Sequence, residues 1–411
     1  MILSIVWCPL SERVGTVETQ YSIYNALISF SSSTPIITAR YQSHSTHCID
    51  NSCLALVSNK QLEFSWRLSR VLAGRLSVLL ISVFAIARLI VIIARLRPSQ
   101  VVFYTCIFPT PILLYKWIAN LPFLRHLLAP VKLANFIQGT PSFCNPHITD
   151  YPRRIESKLR SFIYSSLYRY SDIIITSTPS LKTQLAHIVD LKMLEDRHRD
   201  RNCAIQVIPN AVISSAISYS SDLDLLSESP SVYPQRYDFC FIGRLTYQKN
   251  ILNLIGSFLS AIEACAISSA STLTIVGSGD LESLILSSYG CAKQLNFLGY
   301  RDRPWDFVLP SSIVVVPSLW EEPGHVPIEA LARGYRTLIS TGCTFVDFIP
   351  ECYRSILSFD PSQINSLFLS LERRADPAIW REILINMKSC VAKFTSSSFQ
   401  QSMKHLILEL E

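Results

Sequence analysis

Short apolar runs recur along the chain and alternate with segments of helix length. A repeated order of strand, helix and strand predicts parallel α/β layers. We therefore expect an α/β fold whose strands occupy residues 2–7, 100–104, 132–137, 172–176, 203–208, 237–242, 272–276 and 312–316.

The pattern is interrupted between two of these predicted strands. Residues 214–233 are rich in Ser, with a few acidic residues and Pro230, which is typical of an exposed connection. Because the chain has 411 residues and domains average about 150, two or three domains are expected. We place the boundary at this connection, with an N-terminal domain over residues 1–212 and a C-terminal domain over residues 213–395.

One segment is apolar enough to raise the question of a membrane. Sixteen of the 19 residues 76–94 are apolar, and this length is sufficient to span a bilayer. On a helix, Arg70, Ser77, Arg88 and Arg95 fall along one line and form a narrow basic stripe. Three interpretations stay open: a helix buried against a sheet, an interfacial helix that touches lipid, and a membrane span.

Charge is divided unevenly along the chain. The net charge of +6 is the sum of +11 before Val212 and −5 from Val212 onward. The basic residues of the first half stand among apolar residues, so an anionic membrane surface fits them better than nucleic acid. Twelve scattered cysteines without zinc-site spacing indicate reduced thiols, and Pro9 and Glu12 interrupt the apolar start too early for a signal peptide. These features predict a cytoplasmic protein.

Two stretches of the second half carry cations or glycines after a predicted strand. Gly243 ends one strand and is followed by Arg244 and Lys249. These two cations are well placed to bind a diphosphate; the alternative is that they form a solvated basic face. Gly277 and Gly279 follow the next strand, where they permit either close approach of the backbone to a ligand or a plain tight turn.

A third stretch, residues 313–334, adds two carboxylates. Its strand leads through a loop to a short helix that is expected to start near Pro327 and stop at Gly334. The amino end of such a helix is a natural phosphate site. Glu321 in the loop and Glu329 in the expected first turn suit sugar hydroxyls; the alternative is that Glu329 complements the helix dipole and Glu321 is solvated.

Four ordered pieces of the second half together carry a family pattern. They are Ile242-Gly-Arg-Leu-(x)3-Lys249, Ile275-Val-Gly-Ser-Gly279, Phe297-Leu-Gly299 and Pro317-Ser-(x)2-Glu321-(x)7-Glu329-Ala-(x)3-Gly334. In order and spacing they resemble the retaining nucleotide-sugar glycosyltransferases of family 4, or group 1, which have the GT-B fold. The resemblance implies two Rossmann-like domains with parallel sheets that face across a cleft. It also fits a C-terminal helix at residues 396–411 that packs back on the N-terminal domain.

The resemblance assigns roles to individual residues. Arg244 and Lys249 would hold the donor diphosphate and stabilise the leaving nucleotide, Glu321 would contact the donor sugar, and Glu329 would bind the ribose hydroxyls. Further donor residues by the same resemblance are Gly243, Gly277, Gly279, Gly324, His325 and Val326. The family generally needs no metal and no other cofactor. Residues 222–224 fit an Asp-x-Asp metal pattern but lie in the Ser-rich connection.

The first half resembles the family more loosely. Gly15 and Thr16 match its glycine-rich first loop, and Gln138 and Gly139 stand where the family often has His-Gly; these four are the expected acceptor-side residues. Thr16 replaces a second Gly, Gln138 replaces the His, and Asp347 stands where the family has Glu. These departures leave the expected diphosphate site intact. The functions that they put in question are acceptor binding and turnover.

The resemblance therefore implies a metal-independent retaining hexosyltransferase that moves a sugar from a nucleotide-diphosphate donor to a lipid-linked or polysaccharide acceptor, in cell-surface glycan biosynthesis. The departures keep a second hypothesis open, a non-catalytic partner that binds a sugar nucleotide or glycan within a polysaccharide assembly complex. The expected partners are a nucleotide sugar, a glycan or lipid-linked acceptor and the inner face of the membrane, contacted peripherally, but not nucleic acid.

Overall fold

The computed structural model divides the chain into two compact units. The first unit is Met1–Ala211 with Ser397–Glu411, and the second unit is Val212–Ser396. The residues that the structure describes are 2–7, 14–30, 36–40, 53–55, 87, 89–105, 110–119, 121, 129–137, 171–188, 205–213, 236–369 and 377–410.

Within the described residues, the first unit contains a parallel sheet of seven strands. The strands lie in the order β3-β2-β1-β4-β5-β6-β7, and this order is that of a doubly wound Rossmann sheet whose direction of winding reverses between β1 and β4. The strands are β1 (Ile2–Trp7), β2 (Ile36–Arg40), β3 (Cys53–Ala55), β4 (Gln100–Thr105), β5 (Val131–Ile137), β6 (Ile173–Thr176) and β7 (Ile205–Val207).

Helices cover both faces of this sheet, as strand β4 illustrates. Val101 and Phe103 belong to one buried cluster, and Val102 and Tyr104 to another. The first cluster includes side chains of α2 (Thr110–Ala119), and the second includes side chains of α1 (Val14–Phe30) and of the C-terminal helix Ser396–Leu410. Because side chains alternate along a strand, a strand covered on both faces is apolar at nearly every position. A further helix of the unit is α3 (Pro179–Ile188).

Only part of the apolar segment 76–94 lies among the described residues. Residues 89–96 are helical, and Leu89 and Ile93 are buried in the cluster that contains Val101 and Phe103. Val91, on the same helical stretch, is half exposed. The described end of the segment is therefore a surface helix packed on a sheet by one face, and the rest of the segment lies outside the described residues. Of the helices in the described ranges, none combines the length and apolar character needed to cross a bilayer.

The second unit repeats the same topology. Its described strands lie in the parallel order β10-β9-β8-β11-β12-β13, so the reversal falls between β8 and β11. The strands are β8 (Asp238–Ile242), β9 (Thr272–Val276), β10 (Leu295–Gly299), β11 (Ile313–Val316), β12 (Arg336–Ser340) and β13 (Ser358–Phe359). The helices are α4 (Ile251–Glu263), α5 (Glu282–Tyr289), α6 (His325–Ala332), α7 (Glu351–Leu357), α8 (Ile364–Leu369) and α9 (Pro377–Ala392).

Each predicted strand coincides with an observed one to within a few residues, and α/β layering is confirmed. The additional strands are β2, β3, β10, β12 and β13. Several of them are short or contain polar residues: β3 has three residues, β13 has two, and β12 reads Arg-Thr-Leu-Ile-Ser. Such strands are formed by pairing with a neighbour, which an apolar run alone does not reveal.

Candidate functional site

The two loops at the reversal of the second sheet are joined by a buried ion pair. Lys249 ends a 3₁₀ turn, Tyr247–Lys249, that follows β8, and Glu321 follows β11. The ammonium Nζ of Lys249 donates to Oε1 of Glu321, and the two side chains are only 12% and 13% exposed. In open α/β sheets, ligands bind beyond the carboxyl ends of the strands at such a reversal. The sheet therefore brings two predicted site residues together where a ligand is expected.

The carboxylate of Glu321 is also held by its own loop. Its Oε2 accepts a hydrogen bond of 2.7 Å from the hydroxyl of Ser318. Burial would raise the pKa of Glu321, but the charge and hydrogen bond of Lys249, the Ser318 hydroxyl and the charge of His325 hold that pKa below its usual value. Glu321 is therefore ionised at neutral pH, and the interpretation of Glu321 as a solvated residue is wrong.

Backbone hydrogen bonds fix the loop of Glu321 between two other loops. The amide N–H of Leu319 donates to the carbonyl of Gln248 at 2.8 Å, and the Gln248 side-chain amide donates to the carbonyl of Trp320 at 2.8 Å. On the other side, the N–H of Glu321 donates to the carbonyl of Gly342 at 2.9 Å. The loops after β8, β11 and β12 thus form one assembly that sets the position of the carboxylate.

Helix α6 begins at His325, two residues before the predicted start at Pro327. Gly324 precedes it with φ of +89°, and a Cβ at this position would lie 3.1 Å from Cδ of Glu321. Glycine permits both the backbone conformation and the close contact. As a result Pro327 is the third helical residue and Glu329 lies in the second turn, so the expectation that Glu329 lies in the first turn is wrong.

The remaining predicted donor residues of this loop lie at the start of α6. His325 is partly buried and close enough to Glu321 to lower its pKa by its charge. Val326 is partly buried against the apolar cluster that contains Cys240 and Val314. Glu321, Gly324 and His325 therefore belong to one group, whereas Val326 faces the core.

Glu329 belongs to a second group. Its Oε2 accepts a hydrogen bond of 2.5 Å from the indole N–H of Trp305, and a guanidinium nitrogen of Arg333 lies 3.8 Å from the same oxygen. Neither Trp305 nor Arg333 was identified from the sequence. Arg333 could have been found, since it lies four residues after Glu329, at the C-cap of α6. Trp305 is in no motif and is 24 residues away along the chain.

The glycines after β8 and β9 allow these two loops to pack against each other. A Cβ on Gly277 would lie 1.8 Å from the carbonyl oxygen of Gly243, and one on Gly279 would lie 2.6 Å from the carbonyl oxygen of Leu245. The N–H of Leu245 donates to the carbonyl of Ser278 at 2.9 Å. The structure therefore gives Gly277 and Gly279 a role in packing the two loops together, which neither interpretation from the sequence included.

Arg244 differs from Lys249 in its surroundings. It is exposed, and a guanidinium nitrogen lies 3.5 Å from the side-chain oxygen of Gln248. Gln248 in turn donates to the carbonyl of Trp320. Arg244 is therefore attached loosely to the edge of the loop assembly, where its charge is accessible from solvent.

The acceptor-side residues are described only in part. Gly15 and Thr16 lie in the first turn of α1, Val14–Phe30, so the expectation that they form a loop is wrong. Gln138 and Gly139, which follow β5, lie outside the described residues, as do residues 222–224. Asp347 lies in the 3₁₀ turn Thr344–Phe348 after β12. Within the described ranges, no three His, Cys, Asp or Glu side chains are grouped so that they could hold a metal ion.

Comparison with known proteins gives a family match within the second unit, similar sequences and similar solved structures. Residues 224–368 match the model of the family Glycosyl transferases group 1. An uncharacterised glycosyltransferase of Methanocaldococcus jannaschii is 28% identical over 202 residues, which cover 48% of this chain and 47% of that protein. A UDP-Gal:α-D-GlcNAc-diphosphoundecaprenol α-1,3-galactosyltransferase of Escherichia coli is 31% identical over 33% of this chain and 36% of that protein. The chain thus spans about half, or less, of these relatives.

The solved structures agree with the topology. Anabaena HepE in complex with UDP superposes with a TM-score of 0.61 at 11% sequence identity, and the match covers 100% of both chains. Identity at this level shows the fold alone. Residues 224–368 are therefore similar to the glycosyl transferases group 1 family, and the chain has the GT-B fold.

Proposed function

We propose that this chain is a retaining glycosyltransferase that moves a sugar from a nucleotide-diphosphate donor to a lipid-linked or polysaccharide acceptor in cell-surface glycan biosynthesis. The observation that carries the proposal is the Lys249–Glu321 pair at the reversal of the second sheet. A buried cation and a buried carboxylate side by side suit a ligand that has both a phosphate group and hydroxyls. A nucleotide sugar has both.

The proposed chemistry follows from the charges that develop in the reaction. The bond between the anomeric carbon and the diphosphate oxygen breaks, which leaves positive charge on the sugar and negative charge on the diphosphate. Lys249 and Arg244 lie at the diphosphate in this proposal. They stabilise its negative charge more strongly in the transition state than in the ground state. The acceptor hydroxyl forms the new bond on the same face and its proton leaves with the nucleotide. This same-face course is carried over from the family resemblance.

Glu321 has a different role in this proposal. Because Lys249 and Ser318 hold its pKa low, Glu321 stays a carboxylate and accepts hydrogen bonds from sugar hydroxyls. Before the donor binds, Lys249 neutralises it. Binding of the donor replaces part of the Lys249–Glu321 contact, since the diphosphate binds the Lys249 ammonium and a sugar hydroxyl donates to the Glu321 carboxylate. We propose that these steps need no metal ion.

The acceptor and the location are proposals as well. The excess of +11 before Val212 favours an anionic surface or carrier, so we propose peripheral contact with the inner face of the membrane. The relative from Escherichia coli acts on a sugar linked to diphosphoundecaprenol, by its name. A lipid-linked acceptor of that chemical class is therefore the first to test.

Two measurements test the proposal. Thermal shifts of the full chain with UDP, GDP and their hexose derivatives identify the donor, and release of nucleotide is then followed with and without lipid-linked sugar acceptors. We expect one donor to stabilise the protein and release to depend on acceptor. Binding without acceptor-dependent release would instead favour a non-catalytic sugar-nucleotide partner, and absence of any binding would contradict both functions.

A further inference from the structure

The described contacts of the Glu329 carboxylate all fall on one of its two oxygens. Oε2 receives the N–H of Trp305 at 2.5 Å, and Arg333 lies 3.8 Å from it. Among the described residues, no hydrogen bond reaches Oε1. The side chain is 26% exposed, so a ligand can approach it. One oxygen is thus fixed and the other is available to accept.

Trp305 and Arg333, which contact Oε2, are fixed in position by contacts with neighbouring residues. The rings of Trp305 and Tyr335 stack with centroids 5.6 Å apart and planes 22° apart, and the Arg333 guanidinium lies 4.8 Å from the centre of the Trp305 ring. Arg333 also donates to the backbone carbonyl of Glu329 at 3.3 Å. The direction of the indole N–H is therefore set by packing, and the carboxylate is fixed by rigid neighbours.

A tryptophan suits this position because of what it can donate. The indole N–H is a donor only, and it binds a carboxylate oxygen without neutralising the charge. The carboxylate then remains a strong acceptor for a hydroxyl, since hydrogen bonds to charged groups are stronger than those between neutral groups. A lysine at this place would compete for both oxygens.

We propose that Trp305 and Arg333 are positioning residues that hold Oε2 of Glu329 and leave Oε1 to accept a hydrogen bond from a ribose hydroxyl of the donor nucleotide. The inference rests on the proposed function, in which Glu329 binds the ribose. It adds that selection for a ribonucleotide over a deoxyribonucleotide depends on a tryptophan that lies outside every motif of the sequence.

The test compares ribonucleotides with 2′-deoxyribonucleotides by isothermal titration calorimetry on the full chain. The ligands are UDP against 2′-deoxy-UDP and GDP against 2′-deoxy-GDP. We expect the wild type to prefer the ribonucleotide by about tenfold, the size of one hydrogen bond to a charged group. Trp305→Phe keeps a ring but removes the N–H. It is expected to reduce this preference to about twofold and to leave the affinity for the deoxyribonucleotide unchanged.

Three further variants distinguish a positioning role of Trp305 and Arg333 from a purely structural one. Tyr335→Phe keeps the stacked ring and removes only a hydroxyl that donates to the carbonyl of Val308, so the preference should remain. Arg333→Met should reduce the preference by about twofold, and it replaces Trp305→Phe as the test if that variant does not fold. Glu329→Ala should abolish the preference.

The outcomes distinguish this inference from the function on which it rests. If Glu329→Ala loses the preference but folded Trp305→Phe and Arg333→Met keep it, the positioning role is wrong and the ribose role of Glu329 stands. If Glu329→Ala keeps the preference, the ribose role itself is wrong. If the wild type binds none of the four nucleotides, both the inference and the proposed function are contradicted.

Discussion

In the proposed function Lys249 and Glu321 both contact the donor, and in the structure they form an ion pair with each other. Both side chains are nearly buried, and the carboxylate has Ser318 as a second donor. A diphosphate that binds Lys249 therefore meets a fixed negative charge beside it. Removing that charge and removing the lysine should have opposite effects on nucleotide affinity, which makes the pair testable residue by residue.

Glu321→Gln is expected to bind UDP or GDP more tightly than the wild type, by about three- to tenfold, because a negative charge close to the diphosphate is removed. Turnover should fall at the same time, since the amide is a poorer acceptor for sugar hydroxyls. Calorimetry gives the affinity and nucleotide release gives the rate. Glu263→Gln, at the exposed end of α4, is the control and should change neither. Weaker binding in Glu321→Gln would contradict the role of Glu321 as a competing counter-ion.

Lys249→Met is expected to destabilise the protein by about 3 kcal/mol, because a buried carboxylate loses its partner. Nucleotide binding should be lost as well. Urea unfolding measures the first effect and calorimetry the second. Lys293→Met changes an exposed lysine of the same unit and serves as the control. An unfolding free energy equal to that of the wild type would show that the ion pair does not contribute to folding.

At the scale of elements, the site is built by loops that hold one another. The loop after β9 packs on the loop after β8 through backbone contacts, and the loops after β11 and β12 are joined by hydrogen bonds. Lys249 and Glu321 reach each other because these loops follow adjacent strands. The precision of the site therefore depends on the close backbone packing at Gly277 and Gly279.

Gly277→Ala tests this dependence. A Cβ there would lie 1.8 Å from the carbonyl oxygen of Gly243, so the two loops must separate, at an expected cost of about 2 kcal/mol or more. Gly256→Ala is the matched control, because a Cβ at this position in α4 meets open space, and it should stabilise the helix by about 0.5–1 kcal/mol. The free energy of unfolding is measured for both. Equal effects would mean that the loop packing is not tight.

The sequence predicted the α/β layers and placed Lys249 and Glu321 each in a loop after a strand, because apolar runs and loop residues leave local signals. That the two strands are neighbours was learned from the structure. It did not predict that Ser318 would donate to Glu321, although the two are only three residues apart in one loop. Nor did it predict Trp305 as the partner of Glu329, since a hydrogen bond between side chains 24 residues apart leaves no periodic signal in the sequence. The start of α6 was placed two residues late, because Pro327 fits the third helical position as well as the first. The roles of the site residues remain predictions.

At the scale of the whole molecule, the charge of Glu321 couples folding to pH. Its pKa is held below the usual value, so the unfolded chain takes up this proton more readily than the folded one. The stabilising contribution is therefore complete above a pH of about 4.3, the ordinary pKa of Glu, and is lost as the pH falls through the lowered pKa.

We expect the free energy of unfolding of the wild type and of Glu321→Gln to depend differently on pH. The difference in unfolding free energy between the wild type and Glu321→Gln should be constant from about pH 8 to pH 5 and shrink below about pH 4. Urea unfolding at each pH measures it. A difference that grows on acidification would contradict a lowered pKa.

The two units also differ in net charge: the first, Met1–Ala211 with Ser397–Glu411, carries +10, and the second, Val212–Ser396, carries −4. In the proposed function this places the anionic acceptor or membrane with the first unit and leaves the donor to the second, where the net charge is negative. A negative unit binds a diphosphate only if its cations are concentrated at one place, as Lys249 and Arg244 are after β8. Nucleotide binding by the second unit is therefore expected to depend on Lys249 and Arg244.

The most direct test is calorimetric titration of the full chain with UDP and GDP, repeated with Lys249→Met and Lys293→Met. We expect one of the two nucleotides to bind to the wild type and to Lys293→Met, and the binding to disappear in folded Lys249→Met. Binding of neither nucleotide to the wild type, or equal affinity in the wild type and Lys249→Met, would contradict a nucleotide site at Lys249.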